Sequence, residues 1–307
     1  MNNTIVITGV NGFVGGHLAE KFHKKGFKII GVGIDDEPTD SVREILQHYY
    51  KADLTKTWPV TEKGVRAIVH LAGLAAVGPS YDNPQLYIEK NSAMVTHMCE
   101  YYANIEKKPR ILLISSGAIY DPLQNMPISE DSPLGYSSPY AVSKVLNENQ
   151  AKYYRGRGLD CVVVRPFNHI GHGQGQGFIL PDLYARIAAA QKNSAKEIVV
   201  GNLNTKRDYT DVRDIVSAYS LLALAETLKH DTYNICSGKS LSGNEILKYI
   251  KENSSAEDIA TVVDETLIRP NDILDIWGDS SRIREELAWS PEHSIEETIR
   301  DYINNLR

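Results

Sequence analysis

The feature that most constrains this chain is its opening stretch, Thr4-Ile5-Val6-Ile7-Thr8-Gly9-Val10-Asn11-Gly12-Phe13-Val14-Gly15-Gly16-His17-Leu18. A short apolar run rich in β-branched residues reads as a buried strand. Gly9, Gly12 and Gly15 follow at a three-residue spacing, and Leu18-Ala19-Glu20-Lys21-Phe22-His23 then reads as the start of an amphipathic helix. Strand, glycine turn and helix N-terminus is the context in which a dinucleotide pyrophosphate can lie against backbone N–H groups, because the missing Cβ atoms let it approach. Gly9, Asn11, Gly12, Phe13, Val14 and Gly15 are the candidate contacts in this turn. The spacing is G-x-x-G-x-x-G, not G-x-G-x-x-G, and a tight strand-to-helix turn is the plainer use of such glycines.

The chain has 307 residues, enough for one large domain or two modest ones. A hydrophobic content of 42% against 23% charged residues excludes wholesale disorder. The net charge of −6, with no Lys/Arg-rich run, disfavours nucleic acid and anionic membranes as partners. An anionic ligand would need local arginines. Cys99, Cys161 and Cys236 are too few and too far apart for a disulfide framework or a zinc site, and read as buried reduced thiols. The histidines are scattered without metal spacing, so no metal is expected. The chain opens directly on a strand, without a signal-like stretch, and the apolar stretch 216–228 is too short to span a bilayer. A cytoplasmic location is the expectation.

Strands are expected at 28–32, ending at 53, at 67–71, 110–115 and 160–165, and helices at 85–102 and 138–154. This alternation predicts an α/β fold with a parallel sheet covered by helices on both faces. Ligands bind such sheets at the C-terminal strand ends, where Asp35, Asp53, Ala72, Ser116 and Asn168 fall. After Phe167 comes a glycine- and glutamine-rich loop at 169–177. Helix is then expected at 180–192, 214–228, 241–252 and 294–306, and strand at 197–200 and 232–235, the last returning to the main sheet. The expected division is a nucleotide domain of 1–167 and about 203–236, and a smaller discontinuous C-terminal α/β lobe of about 168–202 and 237–307.

Tyr140 and Lys144 lie four apart on a helix and share a face. A phenol with a pKa near ~10 is a poor acid–base catalyst at neutral pH. A neighbouring ammonium favours the phenolate and can lower that pKa by ~1–3 units. A surface tyrosine and a solvated lysine are the plain alternative. Ser116, just after a strand in Ile114-Ser115-Ser116-Gly117-Ala118-Ile119-Tyr120, could align a substrate oxygen with Tyr140, or simply form a turn.

Thr8-Gly9-x-x-Gly12-x-x-Gly15, His70-Leu71-Ala72-Gly73, Ser115-Ser116, Tyr140-x-x-x-Lys144 and Arg165-Pro166-Phe167-Asn168 together resemble the extended short-chain dehydrogenase/reductase family, whose members act on nucleotide-diphosphate sugars. The resemblance runs over nearly the whole chain and implies a Rossmann doubly wound domain holding NAD(P) and a C-terminal lobe holding the sugar nucleotide. It implies Ser116, Tyr140 and Lys144 as a catalytic triad. Asp53 and Leu54 would border the adenine, Leu71, Ala72 and Gly73 would line the cofactor, and Asn91 would support that wall. Ser115 and Pro166 complete the expected cofactor set. Arg207 and Arg269 would take the diphosphate, an assignment that suits the forked geometry of arginine. Asn168, Gln174 and Phe178 would border the sugar nucleotide, with Ser116 and Tyr140 at its reacting end.

Within the family, dehydratases place an acid pair where this chain has Gly117 and Ala118, and decarboxylases and C3/C5 epimerising enzymes use Glu or Cys at the position of Ala118. The remaining chemistry needs only hydride and one proton, as in a 4-keto reductase or a 4-epimerase. The stretch 70–80 resembles UDP-galactose 4-epimerases, apart from Ala75 where they carry Lys. The stretches 165–174, 201–214, 233–238 and Arg269-Pro270 resemble reductases of GDP-4-dehydro-6-deoxy-mannose. The expected function is therefore NAD(P)H-dependent reduction of a nucleotide-diphosphate 4-keto-6-deoxy sugar, with a 4-epimerase as the alternative and a non-catalytic NAD(P)-binding redox sensor as a distant third. Asp35, in an acidic turn after the second strand, leans toward NAD(H) by repelling a 2′-phosphate. The family implies a homodimer, for which Met94, Met98, Tyr101 and Tyr102 could supply an interface or belong to the core.

Overall fold

A computed structural model describes residues 3–267 and 273–306. The elements in chain order are β1 (Thr4–Thr8), α1 (Phe13–Lys24), β2 (Lys28–Gly33), α2 (Asp40–Arg43), β3 (Leu46–Lys51), β4 (Val65–His70), α3 (Val77–Asp82), α4 (Pro84–Ala103), β5 (Arg110–Ile114), α5 (Pro139–Gly156), β6 (Asp160–Pro166) and β7 (Asn168–Ile170). They continue with α6 (Ile179–Lys192), β8 (Glu197–Val200), β9 (Lys206–Asp211), α7 (Val212–Leu224), β10 (Thr232–Ile235), β11 (Ser240–Ser242), α8 (Gly243–Ser254), β12 (Ala260–Val263), β13 (Asp275–Ile276), α9 (Ser281–Leu287) and α10 (Ile295–Asn304).

Apolar runs such as Ile5-Val6-Ile7 and Ile68-Val69 are buried on both faces, as a strand covered by helices on each side requires. Seven strands form one sheet in the order β10-β6-β5-β4-β1-β2-β3, with the more exposed β3 at one edge. Every neighbouring pair is parallel. One face carries α1 and α7, with Leu18, Phe22, Ile215, Tyr219 and Leu222 in the core. The other carries α4 and α5, with Val95, Met98, Tyr102, Ala151 and Tyr154. The fold is the Rossmann-like doubly wound sheet, with strand order reversing beside β1.

A second sheet joins β11, β9 and β13, with β7 also paired to β9, and β8 pairs with β12. Around them α6, α8 and α10 close a separate core of Leu183, Ile187, Ile246, Ile250, Ile299 and Ile303. Helices α8 and α10 both start at a serine–glutamate capping box, Ser242/Glu245 and Ser294/Glu297, which satisfies two backbone donors reciprocally.

Several elements depart from expectation. The first helix begins at Phe13, not near Leu18, because Gly12 already serves as its N-cap. The helix expected to reach 228 stops at Leu224, where Ala225 turns to an extended conformation. Strand β9 belongs to the second sheet, while α7 and β10, which follow it, join the first. Met94, Met98 and Tyr102 are buried in the core of their own chain, leaving only Tyr101 partly exposed. All three cysteines are free and buried. No described helix is long and apolar enough to cross a membrane.

Candidate active site

The glycine turn is shaped by close approach. Gly9 has φ +68°, and its N–H donates to the Val32 carbonyl at 2.7 Å. A Cβ on Gly9 would sit 3.0 Å from the Ala72 nitrogen, and one on Gly15 would sit 2.3 Å from the Gly9 oxygen. Gly12 caps α1 without any side-chain hydrogen bond, so the first-turn N–H groups of this helix are left to an outside acceptor. Phe13 and Val14 form the first helical residues above the turn.

Thr8 is a hub that sequence reasoning missed as a site residue. Its hydroxyl accepts from the Ala72 N–H at 3.0 Å and shares a hydrogen bond with His70 Nδ1 at 2.9 Å. This fixes the wall of Leu71, Ala72 and Gly73 against the glycine turn. The only sequence signal for it was a hydroxyl residue directly before Gly9. Asn91, buried on α4, holds the far end of the same wall. Its Oδ1 accepts from Leu74 N at 2.8 Å, and its Nδ2 donates to Leu74 O at 3.2 Å and to Ser143 Oγ at 3.0 Å. Ser143 in turn donates to the Tyr140 carbonyl at 2.8 Å. Wall and catalytic helix are thereby one hydrogen-bonded unit.

Helix α5 starts at Pro139, with the Ser138 side chain accepting from Ala141 N. Tyr140 and Lys144 on its inner face are 6% and 8% exposed, which rules out a solvated surface pair. Lys144 Nζ donates to the Ile114 carbonyl at 2.7 Å and lies 5.8 Å from the centre of the Tyr140 ring. Burial lowers the Lys144 pKa to about 8. The expected depression of the Tyr140 pKa is not the net result. Burial raises it, and the Ser116 hydroxyl beside it pulls the other way. Lys144 Nζ is directed at the Ile114 carbonyl, and the opposing pull on the phenol comes from Ser116. Ser116 itself caps the short turn 117–119, its Oγ accepting from Ala118 N at 3.1 Å. Its hydroxyl proton remains available for a substrate oxygen.

His70 is buried, and desolvation together with the Lys144 charge holds it neutral, with a pKa down to about 3. Its Nε2 and the Ser115 Oγ are buried without a hydrogen-bond partner. Pro166 closes the strand beside them at the end of β6.

On the far side of the glycine turn, Asn11 Nδ2 donates to Asp35 Oδ2 at 2.8 Å, and the Tyr49 hydroxyl donates to the Asp35 carbonyl at 2.9 Å. Asp35 is thus tied to the turn. Its neighbours Asp36 and Glu37 pair with Lys51 and Arg43. Asp53 accepts from Thr55 N and Oγ1, which hold its carboxyl below the usual range, and Leu54 is buried beside it.

The substrate-side candidates sit beyond β6. Asn168 is exposed at the start of β7. Gln174 is buried, donates from Nε2 to the His169 carbonyl at 3.0 Å, and leaves its Oε1 unpartnered. Phe178, the N-cap of α6, is 46% exposed. Arg207 on β9 donates to the Lys206 and Ile273 carbonyls at 2.8 Å. Arg269 lies outside the described residues. Among the described residues no group of His, Cys, Asp and Glu is placed to hold a metal.

The model of the family described as GDP-mannose 4,6 dehydratase matches residues 6–302. The chain belongs to that family. It is 27% identical to the GDP-6-deoxy-D-mannose reductase of Pseudomonas aeruginosa, over 99% of this chain and 97% of the relative. It is also 27% identical to the UDP-glucose 4-epimerase of Bacillus subtilis, over 97% and 95%. The structure of RMD from Pseudomonas aeruginosa complexed with NADPH superposes with a TM-score of 0.84 at 25% identity, covering 99% of this chain and 98% of that one. As a member of the family, the protein is an enzyme of the NAD(P)-dependent nucleotide-sugar epimerase, dehydratase and reductase class.

Proposed function

We propose that this enzyme reduces the C4 carbonyl of a nucleotide-diphosphate 4-keto-6-deoxy sugar of the GDP-4-dehydro-6-deoxy-mannose type. The observation that carries the reading is a complete Ser116/Tyr140/Lys144 set with nothing titratable at Gly117 or Ala118. Elimination or inversion at C3 or C5 would need a further acid or base there. Reduction needs one proton and one hydride. A nicotinamide dinucleotide fits the uncapped α1 terminus and the Cβ-free cradle at Gly9 and Gly15, and in its reduced form supplies the hydride. Tyr140 donates its phenolic proton to the developing C4 alkoxide. Ser116 hydrogen-bonds that oxygen and stabilises its charge. Lys144, held at Ile114, keeps a positive charge beside the phenolate left behind and is placed to hold a ribose hydroxyl.

The Asp35 carboxylate, tied to Asn11 beside the glycine turn and, among the described residues, not paired with a cation as Asp36 and Glu37 are, is the group that would repel a 2′-phosphate, and this favours NAD(H) over NADP(H). Gln174 Oε1, buried and unpartnered, is a fitting acceptor for a sugar hydroxyl. Asn168 and Phe178 border the same pocket, and Arg207 and Arg269 serve the diphosphate. Two copies pair through α4 and α5.

The second reading, a 4-epimerase, is favoured by the equal identity to the Bacillus subtilis enzyme. A screen of GDP-, dTDP-, UDP- and CDP-linked 4-keto sugars against NADH and NADPH separates the two. A reductase consumes reduced dinucleotide with a GDP-4-keto sugar. Interconversion of UDP-hexoses with no reductant added would establish the epimerase instead.

A further inference from the structure

Two side chains of α1 reach across to the glycine loop on the substrate side, and the reaction as proposed gives neither contact a role. Phe13 and His17 are four apart, so they share one face of the helix. The Phe13 ring stacks on His169, with centroids 6.0 Å apart and planes 12° apart. Its edge lies against the loop backbone. A Cβ on Gly171 would be 3.7 Å from it, and one on Gly173 3.9 Å. One turn later, His17 Nε2 is 2.7 Å from the carbonyl oxygen of His172, a contact spanning 155 residues of sequence. A carbonyl only accepts, so Nε2 carries the proton. The His17 ring also meets Phe13 and His172 edge-on, at 5.8 and 6.4 Å.

Among the described residues the loop has few other hydrogen bonds. His172, Gly173 and residues 175–177 are exposed, and behind them a cleft of about 420 Å³ opens between α1, α7 and α10. The loop's other ties are local, Gln174 N to Gly171 O, Gln174 Nε2 to His169 O and Gly177 N to Asp182. Gly171 at its start packs on Val212 of α7, where a Cβ would come to 2.7 Å, and Phe13 and His17 are the side chains that tie the rest of the loop to α1. Phe13 is also the first residue of the helix whose N-terminal N–H groups the glycine turn presents.

We infer that Phe13 and His17 form a latch, through which a dinucleotide seated on α1 orders the loop 171–177 and so prepares the sugar-nucleotide pocket. Ordering α1 by its ligand steadies both side chains, and the loop is held in the position that aims Gln174 inward. Dinucleotide binds first and nucleotide sugar second. The inference rests on the proposed function only where it assigns Gln174 and its loop to the sugar.

His17 is the residue to change, since it touches the loop and not the glycine cradle. Amide hydrogen exchange at Gln174 and Gly177 is measured with and without NADH in the wild-type chain, His17→Ala and His17→Gln. The dinucleotide slows exchange in the wild type. His17→Ala loses about five- to tenfold of that protection, the worth of one neutral hydrogen bond, and His17→Gln, which keeps a donor, restores most of it. The same alanine variant raises the KM for the nucleotide sugar by a similar factor and, because the coupling is reciprocal, weakens dinucleotide binding by no more than that factor, with kcat unchanged. Equal protection in wild type and His17→Ala overturns the latch. Lost protection with an unchanged sugar KM overturns the coupling while leaving the reductase reading intact. The exchange measurement uses dinucleotide alone, so it decides the latch even if no 4-keto sugar is turned over.

Discussion

At the scale of single residues, the proposed chemistry depends on two buried groups that water would otherwise moderate. Tyr140 is lifted above its ordinary pKa by burial and drawn back by Ser116. It therefore stands as a protonated donor at neutral pH, which is the form that reduction uses. Tyr140→Phe removes the proton without changing the ring. Turnover should fall by about 10²–10⁴-fold, the usual worth of a positioned general acid, with dinucleotide affinity by fluorescence titration within about twofold of wild type. Near-normal turnover would remove Tyr140 from the acid role. Lys144 gives a pH signature. Its pKa is about 8 in the folded chain, against about 10.4 for an unfolded lysine. Between those values the unfolded chain binds more protons, so this residue makes stability rise with pH across that window, by of order 3 kcal/mol. Lys144→Met should lack that rise in urea-unfolding experiments run at about pH 8 and about pH 10. An identical pH response in the variant would show that the ammonium is not desolvated. The sequence pointed to Tyr140 and Lys144 through their spacing, and to the set with Ser116 through the family resemblance. It could not disclose that the Ile114 carbonyl engages the ammonium, because that contact joins positions 30 residues apart.

At the scale of elements, the glycine turn was the most legible part of the chain, because its requirement is steric and local. A Cβ on Gly15 would meet the Gly9 oxygen at 2.3 Å and the Val10 Cα at 2.7 Å, and backbone there has no side chain to rotate away. Gly15→Ala should cost about 1–3 kcal/mol of stability, as overpacking does. It should also weaken dinucleotide binding by about 10²-fold, measured by titration of NADH fluorescence. Unchanged affinity would place the pyrophosphate elsewhere. Parallel strands of the first sheet were also readable, since burial on both faces leaves continuous apolar runs such as Ile111-Leu112-Leu113. Strand β9 was not. Lys206-Arg207-Asp208-Tyr209-Thr210-Asp211 is largely polar, and its place is set by partners far away in sequence. The buried Asp208 carboxylate accepts from Ser237 N and Oγ and from Gly238 N, at 2.7–2.9 Å. Such a residue looks like a surface acid until its partners are known. Thr8 belongs to the same class, as a polar side chain that fixes the wall of Leu71, Ala72 and Gly73 through a contact spanning 64 residues. Asn91, whose contact to Ser143 spans 52 residues, was named for that wall by the family resemblance alone.

At the scale of the whole molecule, two sheets with separate cores meet along the C-terminal ends of the first, and the chain crosses there repeatedly. Strand β6 leads straight to β7 of the second sheet, β9 leads straight to α7, and β10 passes into β11. The proposed reacting groups lie on the first side and the proposed sugar contacts Asn168, Gln174 and Phe178 on the second, so on that proposal a hydride donor and a sugar nucleotide each bring their own half of the pocket. Alternation of strand and helix predicted the parallel first sheet in outline. The crossings were harder to place, since short strands of three to six residues carry little periodicity. The central claim is that hydride passes to the sugar C4 and is not returned. The most direct measurement is the fate of label when the protein is incubated with NADH deuterated at the transferable nicotinamide position and a GDP-4-keto-6-deoxy sugar. One deuterium at C4 of the product sugar, with one dinucleotide oxidised per sugar, is the predicted result. A product sugar without deuterium at C4, or no net oxidation of dinucleotide, would contradict it.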